Sequence, residues 1–509
     1  MDKKSVILCI LDGWGIAPSS PGNPITLANP KVYRHLLNSY PSTKLLASGA
    51  AVGLPEGQDG DSETGHLNIG AGRIVFQDLS LINMAIADGS FFTNRALLDT
   101  AKHINSFQSS LHLIGLIGSS GVHAYNEHLY ALLIFAKKHN ISNVYLHLIT
   151  DGRDSPPDNG IEQLRTVQEK INKIGVGKIV SISGRYYAMD RDQRLDRTKR
   201  EFDCLTKENQ NSVSNPEIYL QKSYANQIFD EFIEPSPIGD NVNVSRIKSG
   251  DAVIFYNFRT DRPRQLTEMF LNSGIPNLRF VTMTKYRKDF QNPVMFATTD
   301  IKNTLGEIIS KNNFNQLRAA ETEKIAMVSY YFNGLNENIF PGETHLYVDS
   351  QKVATYDLTP RMSTDKLIDE FCRKVKDDNL TLSVVNIACP DMVAHTGKID
   401  KTIEAIFAAD DAMGNLVNLA KETNSYLIIT ADHGNAEELL DIKTGAVNTQ
   451  HSTNPVPLII YHQTDTKFQL QPGKLGDIAP TILNLLELPI PYEMNGKDLI
   501  VRDVETKLQ

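Results

Sequence analysis

Residues 6–11 read Val-Ile-Leu-Cys-Ile-Leu and are followed at once by Asp12 and Gly13. A short apolar run without polar alternation is typical of a strand that is covered on both faces. Similar runs recur at Leu111–Ile117, Val144–Ile149, Ile179–Ile182, Ala252–Tyr256, Leu382–Ala388 and Tyr426–Thr430. Helical stretches lie between many of them, at Glu127–His139, Ile161–Ile174, Lys366–Lys376 and Lys401–Thr423. The alternation predicts an α/β fold with largely parallel sheets.

The composition narrows the class of protein. The chain has 509 residues, of which 41% are hydrophobic and 22% charged, as is usual for globular proteins. Its 51 Lys and Arg against 60 Asp and Glu give a net charge of −9, which argues against a broad nucleic-acid-binding surface. No apolar run approaches the roughly 18 residues that span a bilayer, and the N-terminus has no export signal. We therefore expect a cytoplasmic protein without membrane contact. Four widely spread cysteines predict neither disulfides nor a zinc knuckle.

The residues that follow the apolar runs predict the domain organisation. Ligands of parallel α/β sheets bind beyond the carboxyl ends of the strands. Carboxylates and imidazoles follow the runs near both termini, whereas arginines follow the runs in the middle. This split predicts one α/β domain assembled from both termini and a second α/β domain inserted into it. The seams are expected near Val75–Gln77 and Ala297–Ile301.

A set of oxygen and nitrogen donors in the terminal parts of the chain indicates a metal centre. Asp391 and His395 are four residues apart, so a helical turn points both the same way. A set without thiolates suits Mn²⁺, Mg²⁺ or Zn²⁺, and a pair of ions is plausible. A lone Asp or His usually only caps or hydrogen-bonds locally, but Asp-x-x-x-His and Asp-His-Gly in one chain favour metal binding. The donors are Asp12, Asp391, His395, Asp432, His433 and His451.

The segment from Gly60 to Gly65 contains a candidate nucleophile, Ser62. A serine on a tight turn beside a metal ion could attack as an alkoxide without a histidine base. The alternative is a serine N-cap, with Glu63 in the first turn of a helix. The residues alone leave both interpretations open.

Arginines at three strand ends of the middle segment, Arg153, Arg185 and Arg259, indicate an anion site. The planar guanidinium group binds carboxylate and phosphate oxygens in pairs. Asp154 lies among them, so some of the pairing is internal. His123 follows a Gly-Ser-Ser-Gly stretch and is a candidate for ligand contact or for acid–base chemistry.

Over essentially its whole length the chain resembles the cofactor-independent phosphoglycerate mutases of the alkaline phosphatase superfamily. Asp-His-Gly alone would indicate only the superfamily, but the segments together are specific. They are Leu11–Gly15, Gly65–Arg73, Asp151–Asp154, Gly184–Asp192, Asn257–Arg259, Glu321–Lys324, Pro390–Gly397 and Thr430–Glu437.

The resemblance implies the interconversion of 3-phosphoglycerate and 2-phosphoglycerate, a step of glycolysis and gluconeogenesis, through a phosphoserine at Ser62 and without 2,3-bisphosphoglycerate. It implies two Mn²⁺, with other divalent ions possible, and a monomer whose partner is this small substrate. One ion would be held by Asp12, Ser62, Asp432 and His433, and the other by Asp391, His395 and His451.

The resemblance also assigns the remaining site residues and the domains. Lys324 would neutralise the transferring phosphoryl group, and Asp154 is the candidate acid–base. Residues 1–76 and 299–509 would form a phosphatase-like metal-binding domain, and residues 77–298 an inserted transferase domain that binds the substrate. The residues matched to the phosphoglycerate site are His123, Arg153, Asp154, Arg185, Arg191, Arg259 and Arg262, together with Lys324.

The chain departs from the usual family pattern at Asp59, Asp61, Tyr125, Met327 and Cys389, none of which is a matched metal ligand or substrate arginine. One alternative function is a metal-dependent phosphohydrolase or phosphopentose mutase of the same superfamily, although a simple hydrolase does not need the strand-end arginines. Another is a non-catalytic metal- or anion-binding protein. That reading would require an incomplete site, whereas every matched ligand is present.

Overall fold

The computed structural model describes residues 4–208, 211–239, 245–297, 300–441 and 443–502. The described strands are β1 (Val6–Leu11), β2 (Ser42–Leu46), β3 (Leu111–Ile117), β4 (Val144–Thr150), β5 (Lys178–Gly184), β6 (Ser236–Pro237), β7 (Ala252–Phe255), β8 (Arg279–Thr284), β9 (Val294–Phe296), β10 (Asn315–Glu321), β11 (Glu343–Val348), β12 (Leu380–Ile387), β13 (Tyr426–Thr430), β14 (Val456–Tyr461), β15 (Gln469–Leu470), β16 (Gly473–Lys474) and β17 (Ile500–Val501).

The described α-helices are α1 (Pro24–Ala28), α2 (Lys31–Ser39), α3 (Ser62–Ala71), α4 (Asp78–Asp88), α5 (Arg95–Phe107), α6 (Asn126–Lys138), α7 (Gly160–Ile174), α8 (Arg185–Ala188), α9 (Leu195–Thr206), α10 (Pro216–Ala225), α11 (Arg264–Leu271), α12 (Leu305–Lys311), α13 (Thr364–Asp377), α14 (Cys389–Ala394), α15 (Ile399–Glu422) and α16 (Ile478–Leu485). Short 3₁₀ turns span Gly49–Val52, Ser90–Thr93, Asp230–Phe232, Thr322–Lys324, Tyr356–Leu358 and Leu475–Asp477, and a π-helical turn spans Met327–Tyr331.

The chain divides into two compact units. The terminal unit comprises residues 1–77 and 300–509, and the inserted unit comprises residues 78–299. Each boundary lies one residue from the one expected from the sequence. Residues 298–299 of the second expected seam lie outside the described residues. Each unit has its own hydrophobic core around its own sheet.

The sheet of the terminal unit has the order β11-β10-β12-β1-β13-β14-β2-β16. β1 lies at its centre, parallel to β12 on one side and to β13 on the other, with Val6 opposite both Leu382 and Tyr426. All six residues of β1 are buried, which confirms the strand predicted from the apolar run. The carboxyl ends of β12, β1 and β13 therefore meet side by side at one edge of the sheet.

The sheet of the inserted unit has the order β6-β5-β4-β3-β7-β8-β9 and is parallel except for β6. The predicted strands β3, β4, β5 and β7 form its centre, so the α/β prediction is confirmed in this unit as well. Their carboxyl ends lead directly into the segments that contain His123, Arg153, Arg185 and Arg259. In the part of the chain that the structure describes, no helix is both long and apolar enough to cross a membrane.

Candidate active site

Ser62 is the first residue of α3 and not its N-cap, so the capping interpretation of this serine is wrong. Asp61 is the cap: its Oδ1 accepts from the backbone N–H of Thr64 at 2.8 Å, and its Oδ2 accepts from the Thr64 hydroxyl at 2.9 Å. Glu63 follows in the first turn, where a negative charge is favourable. Because Asp61 caps the helix, the Ser62 hydroxyl is left to make other contacts.

The Ser62 hydroxyl lies among charged groups. Its Oγ is 2.8 Å from Lys324 Nζ, 2.9 Å from His433 Nε2 and 3.2 Å from Asp12 Oδ1. Ser62 is only 7% exposed, so bulk water does not surround this oxygen. The arrangement places a hydroxyl group where a developing negative charge would be stabilised.

Lys324 joins the nucleophile to two carboxylates. It lies in the 3₁₀ turn directly after β10, and its Nζ donates to Asp12 Oδ1 at 2.8 Å and to Asp391 Oδ2 at 2.9 Å. Burial opposes the charge, but Asp12 and Asp391 hold the pKa of Lys324 above its usual value. The side chain is therefore a charged ammonium group at neutral pH, available to an anionic phosphoryl group.

The structure brings the sequence-predicted metal donors together in two overlapping groups. Asp12, Asp432 and His433 form one, and Asp391, His433 and His451 the other, with the donor atoms of each group within 4.8 Å of one another. His433 thus faces both groups, whereas the sequence resemblance assigned it to one. The sixth predicted donor, His395, adjoins the second group, with its Nε2 3.4 Å from Asp391 Oδ1 and 3.2 Å from His451 Nε2.

The chemistry of these donors fits divalent cations. Three buried carboxylates, Asp12, Asp391 and Asp432, face a single buried ammonium group among the residues that surround them. Asp432 Oδ2 is buried and has the ring nitrogens of His66 at 3.2 Å and His433 at 3.6 Å, but among the described residues it accepts no hydrogen bond of good geometry, which is costly for a carboxylate oxygen unless a cation faces it. Carboxylate and imidazole donors suit Mn²⁺, Mg²⁺ or Zn²⁺.

Two glycines allow the donor segments to approach each other. Gly13 has a φ of +70°, and a Cβ there would lie 2.8 Å from Asp391 Cβ. A Cβ on Gly65 in α3 would lie 2.5 Å from the carbonyl oxygen of Asp432. Because Cβ atoms do not approach other heavy atoms closer than 3.0 Å, the neighbouring segment would have to move. Larger residues at these two positions would therefore separate the elements that carry the metal donors.

Two further residues of the site were not singled out from the sequence. The Asn435 side-chain amide donates to Asp391 Oδ1 at 2.8 Å. Glu437 accepts from the backbone N–H of Gly15 and of Asn435, both at 2.9 Å, and so ties the segment after β1 to the segment after β13. Both residues lie in the Thr430–Glu437 segment, just beyond the buried strand β13. Polar side chains at such positions often hydrogen-bond to the backbone of neighbouring loops, and this signal could have identified them from the sequence.

In the inserted unit, the predicted anion-binding residues form a connected cluster around Arg185. Its Nη1 lies 2.5 Å from Asp154 Oδ2 and 2.5 Å from Asp151 Oδ1, and its Nη2 lies 2.9 Å from His123 Nε2. Arg185 is 1% exposed, and its contacts fix the positions of the Asp151, Asp154 and His123 side chains. Its direct contact with a substrate stays a prediction. Burial acts in the opposite direction, but Arg185 holds the pKa of Asp154 below its usual value.

His123 presents a hydrogen-bond donor to the same cluster. Burial and the charge of Arg185 lower the pKa of His123 to about 4, so the ring is neutral at pH 7. Because Arg185 donates to Nε2, the proton lies on Nδ1, which has no hydrogen-bond partner among the described residues. Nδ1 is itself buried and lies 3.8 Å from Asp261 Oδ1, so both roles left open by the sequence, ligand contact and acid–base chemistry, stay predictions.

The other arginines of the cluster carry more exposed guanidinium groups. The side chains of Arg153, Arg191 and Arg259 are 52%, 49% and 53% exposed, which leaves their charge available to an anion. Asp261 contacts two of them, with Oδ2 3.0 Å from Arg191 Nη1 and Oδ1 3.3 Å from Arg259 Nε. Arg262 donates to the carbonyl oxygen of Met189 at 3.2 Å.

Comparison with known proteins identifies the family. Residues 82–288 match the family model described as the N-terminus of BPG-independent PGAM. The 2,3-bisphosphoglycerate-independent phosphoglycerate mutase of Clostridium beijerinckii is 46% identical over 98% of this chain and 100% of its own length. That of Acetivibrio thermocellus is 44% identical over 99% of this chain and 100% of its own. The solved structure of Leishmania mexicana phosphoglycerate mutase at low cobalt concentration matches with a TM-score of 0.62 and 26% identity, covering 99% of this chain and 98% of that one. The chain therefore belongs to the family of 2,3-bisphosphoglycerate-independent phosphoglycerate mutases.

Proposed function

We propose that this chain interconverts 3-phosphoglycerate and 2-phosphoglycerate through a phosphoserine at Ser62. The observation that carries the proposal is the contact of one buried serine oxygen with an ammonium group, an imidazole and a carboxylate, at 2.8, 2.9 and 3.2 Å. Membership of the family and relatives named for this activity support the same reaction.

The phosphoryl transfer is assigned to the terminal unit. The Ser62 oxygen attacks the phosphorus of 3-phosphoglycerate, so the Oγ–P bond forms while the bond from phosphorus to the C3 oxygen breaks. The Lys324 ammonium stabilises the negative charge on the phosphoryl oxygens during this step. In the second half, the C2 hydroxyl of the retained glycerate attacks the phosphoserine, which restores the Ser62 hydroxyl.

The substrate retention is assigned to the inserted unit. The guanidinium groups of Arg153, Arg191 and Arg259 carry the charge that binds carboxylate and phosphate oxygens. His123 would add a neutral N–H donor. In the first half the Ser62 hydroxyl gives up its proton and the leaving C3 oxygen takes one up, and in the second half the C2 hydroxyl gives up its proton and the Ser62 oxygen takes one up. Asp154 is the proposed acid–base at the glycerate oxygens, and its lowered pKa makes it a carboxylate that would accept the C2 proton. Each half releases one proton and takes one up, so the isomerisation needs no net proton.

The metal centre is proposed to contain two Mn²⁺, with other divalent ions as possible substitutes and no 2,3-bisphosphoglycerate required. Asp12, Ser62, Asp432 and His433 would hold one ion, and Asp391, His395 and His451 the other. Bound there, such ions supply a Lewis acid for the phosphoryl oxygens and lower the pKa of the serine hydroxyl. We further propose that one chain suffices for activity and that it acts in the cytoplasm.

The test is a coupled assay with 3-phosphoglycerate and Mn²⁺ in the absence of 2,3-bisphosphoglycerate. We expect 2-phosphoglycerate to form, and a chelator to stop it. Ser62→Ala should abolish turnover and the phosphoserine detected by mass spectrometry. The surface variant Ser39→Ala should leave both unchanged, because the hydrogen-bond partner of that hydroxyl among the described residues is His35, at 3.3 Å and outside the site. Release of free phosphate as the main product, or full activity of Ser62→Ala, would overturn the proposal.

A further inference from the structure

Two buried polar side chains beside the metal donors have no role in the proposed reaction. His66 lies in α3 one turn beyond Ser62, and Asn386 lies in β12 beside β1. Both residues are 0% exposed. A buried polar side chain is costly unless it makes specific contacts, so the contacts of these two indicate what they do.

His66 and Asn386 connect two carboxylates that face the proposed metal centre. The Asn386 amide donates to Asp12 Oδ2 at 2.7 Å and to His66 Nε2 at 3.1 Å. On the other side of the ring, His66 Nδ1 lies 2.9 Å from the Ser62 carbonyl oxygen and 3.2 Å from Asp432 Oδ2. The contacts form a continuous chain from Asp12 through Asn386 and His66 to Asp432.

The donors and acceptors in this chain have one consistent arrangement. The Asn386 nitrogen must face Asp12, because its oxygen would repel the carboxylate. The second N–H of Asn386 then donates to His66 Nε2, so the ring carries its proton on Nδ1. That N–H points toward the Ser62 carbonyl and the Asp432 carboxylate. The Asn386 oxygen has no hydrogen-bond partner among the described residues, so the two N–H contacts are what the amide contributes at this position.

We propose that His66 and Asn386 are positioning residues that hold Asp12 and Asp432 in the orientation required for metal binding. The inference rests on the metal centre of the proposed function. It adds that metal affinity depends on a hydrogen-bonded pair that belongs to neither group of donors. Because His66 is anchored in α3, the same chain also links the helix that begins at Ser62 to both carboxylates.

The experiment measures Mn²⁺ dissociation constants by calorimetry, without substrate, on the full chain. Loss of an outer partner of metal ligands typically weakens metal affinity by about 10–100-fold. We expect this loss for His66→Leu and for Asn386→Leu, and the double variant should lose little more than the larger single loss because the two act in one chain. His66→Asn keeps an N–H near the Nδ1 position, and His66→Gln keeps an acceptor near the Nε2 position. Each should recover part of the affinity.

A matched control separates positioning from burial. In the inserted unit, His128 is also 0% exposed, and its Nε2 lies 2.9 Å from Asn83 Oδ1. His128→Leu should change the thermal stability without changing the Mn²⁺ dissociation constant. If His66→Leu fails to fold, Asn386→Leu and the two conservative His66 variants carry the test.

The outcomes distinguish this inference from the proposed function. Folded variants that bind Mn²⁺ within twofold of the parent chain would overturn the positioning role and leave the metal centre intact. An affinity loss without any recovery in His66→Asn or His66→Gln would also overturn it, since a packing defect alone would explain that result. A parent chain that does not bind Mn²⁺ would overturn the metal centre, and this inference with it.

Discussion

Replacing Lys324 by methionine should separate charge stabilisation from metal binding, because the two effects have opposite signs. Methionine is unbranched and of similar length, so it fills the space and removes only the charge. The ammonium group now lies 2.8 Å from both Asp12 Oδ1 and Ser62 Oγ and 2.9 Å from Asp391 Oδ2. Without it, the buried carboxylates of Asp12 and Asp391 lose the ammonium group that both contact.

The magnitudes follow from these contacts. Removing one partner of a buried ion pair costs about 3–5 kcal/mol of folding free energy, so metal-free Lys324→Met should be clearly less stable than the parent chain. Mn²⁺ should bind more tightly to the variant, because the competing positive charge is gone, and should restore much of the stability. Turnover should still fall about 10²–10³-fold, as it does when one preorganised donor to a transition-state oxyanion is lost.

The assay combines kcat with Mn²⁺ present, the Mn²⁺ dissociation constant, and thermal unfolding with and without the metal. Lys376→Met is the control, since Lys376 pairs with Glu422 on the surface, where an ion pair contributes about 0–1 kcal/mol. Its kcat and metal affinity should not change. A folded Lys324→Met whose kcat stays within threefold of the parent would refute the charge-stabilisation argument. Weaker Mn²⁺ binding would refute the electrostatic part.

Three further predictions concern other parts of the molecule. Burial raises the pKa of Glu201 to about 7 from a usual value near 4.5. Between pH 4.5 and pH 7 Glu201 is ionised in the unfolded chain but still protonated in the folded one, so the free energy of unfolding of the parent falls as the pH rises. Glu201→Gln has no such group, so its stability relative to the parent should grow across that range to about 3 kcal/mol, measured as unfolding free energy against pH. Asp61→Ala should destabilise the protein by about 1 kcal/mol through loss of the helix cap, with Asp61→Asn recovering most of it; equal unfolding midpoints would contradict this. Gly65→Ala should weaken Mn²⁺ binding, because its Cβ would meet the Asp432 carbonyl oxygen at 2.5 Å, whereas Gly414→Ala, whose Cβ has only an ordinary contact at 3.5 Å, should not.

The apolar runs in the sequence predicted the strands at the centre of each sheet. Strands that bury polar side chains could not be predicted from apolar runs. β3 matches its run residue for residue, because all seven of its residues are buried and His112 is the one polar side chain among them. β10 was not predicted, since it buries Gln316 and Arg318, whose side chains bond to each other at 2.7 Å. A buried charge that is paired inside the protein has no hydrophobic signature, so a pattern of hydrophobicity does not reveal it.

The residues of the candidate site likewise divide into those that the local sequence could identify and those that it could not. Asp12 and Asp432 could be identified from the sequence, because they directly follow buried runs. Lys324 follows the unpredicted β10, so only the family resemblance pointed to it. Asn386 lies inside a strand, where its contacts depend on which strands are neighbours. That pairing is a long-range property of the fold that local sequence does not contain.

The central position of β1 also has a consequence for biosynthesis. This strand leaves the ribosome before the other described strands, yet its two neighbours begin only at Leu380 and Tyr426. At translation rates of about 5–20 residues per second, an apolar strand waits roughly 20 s to more than a minute for its first partner. The inserted unit is contiguous in the chain and can fold during that interval. The early strand stays exposed to aggregation and is the segment for which a nascent-chain chaperone would matter most.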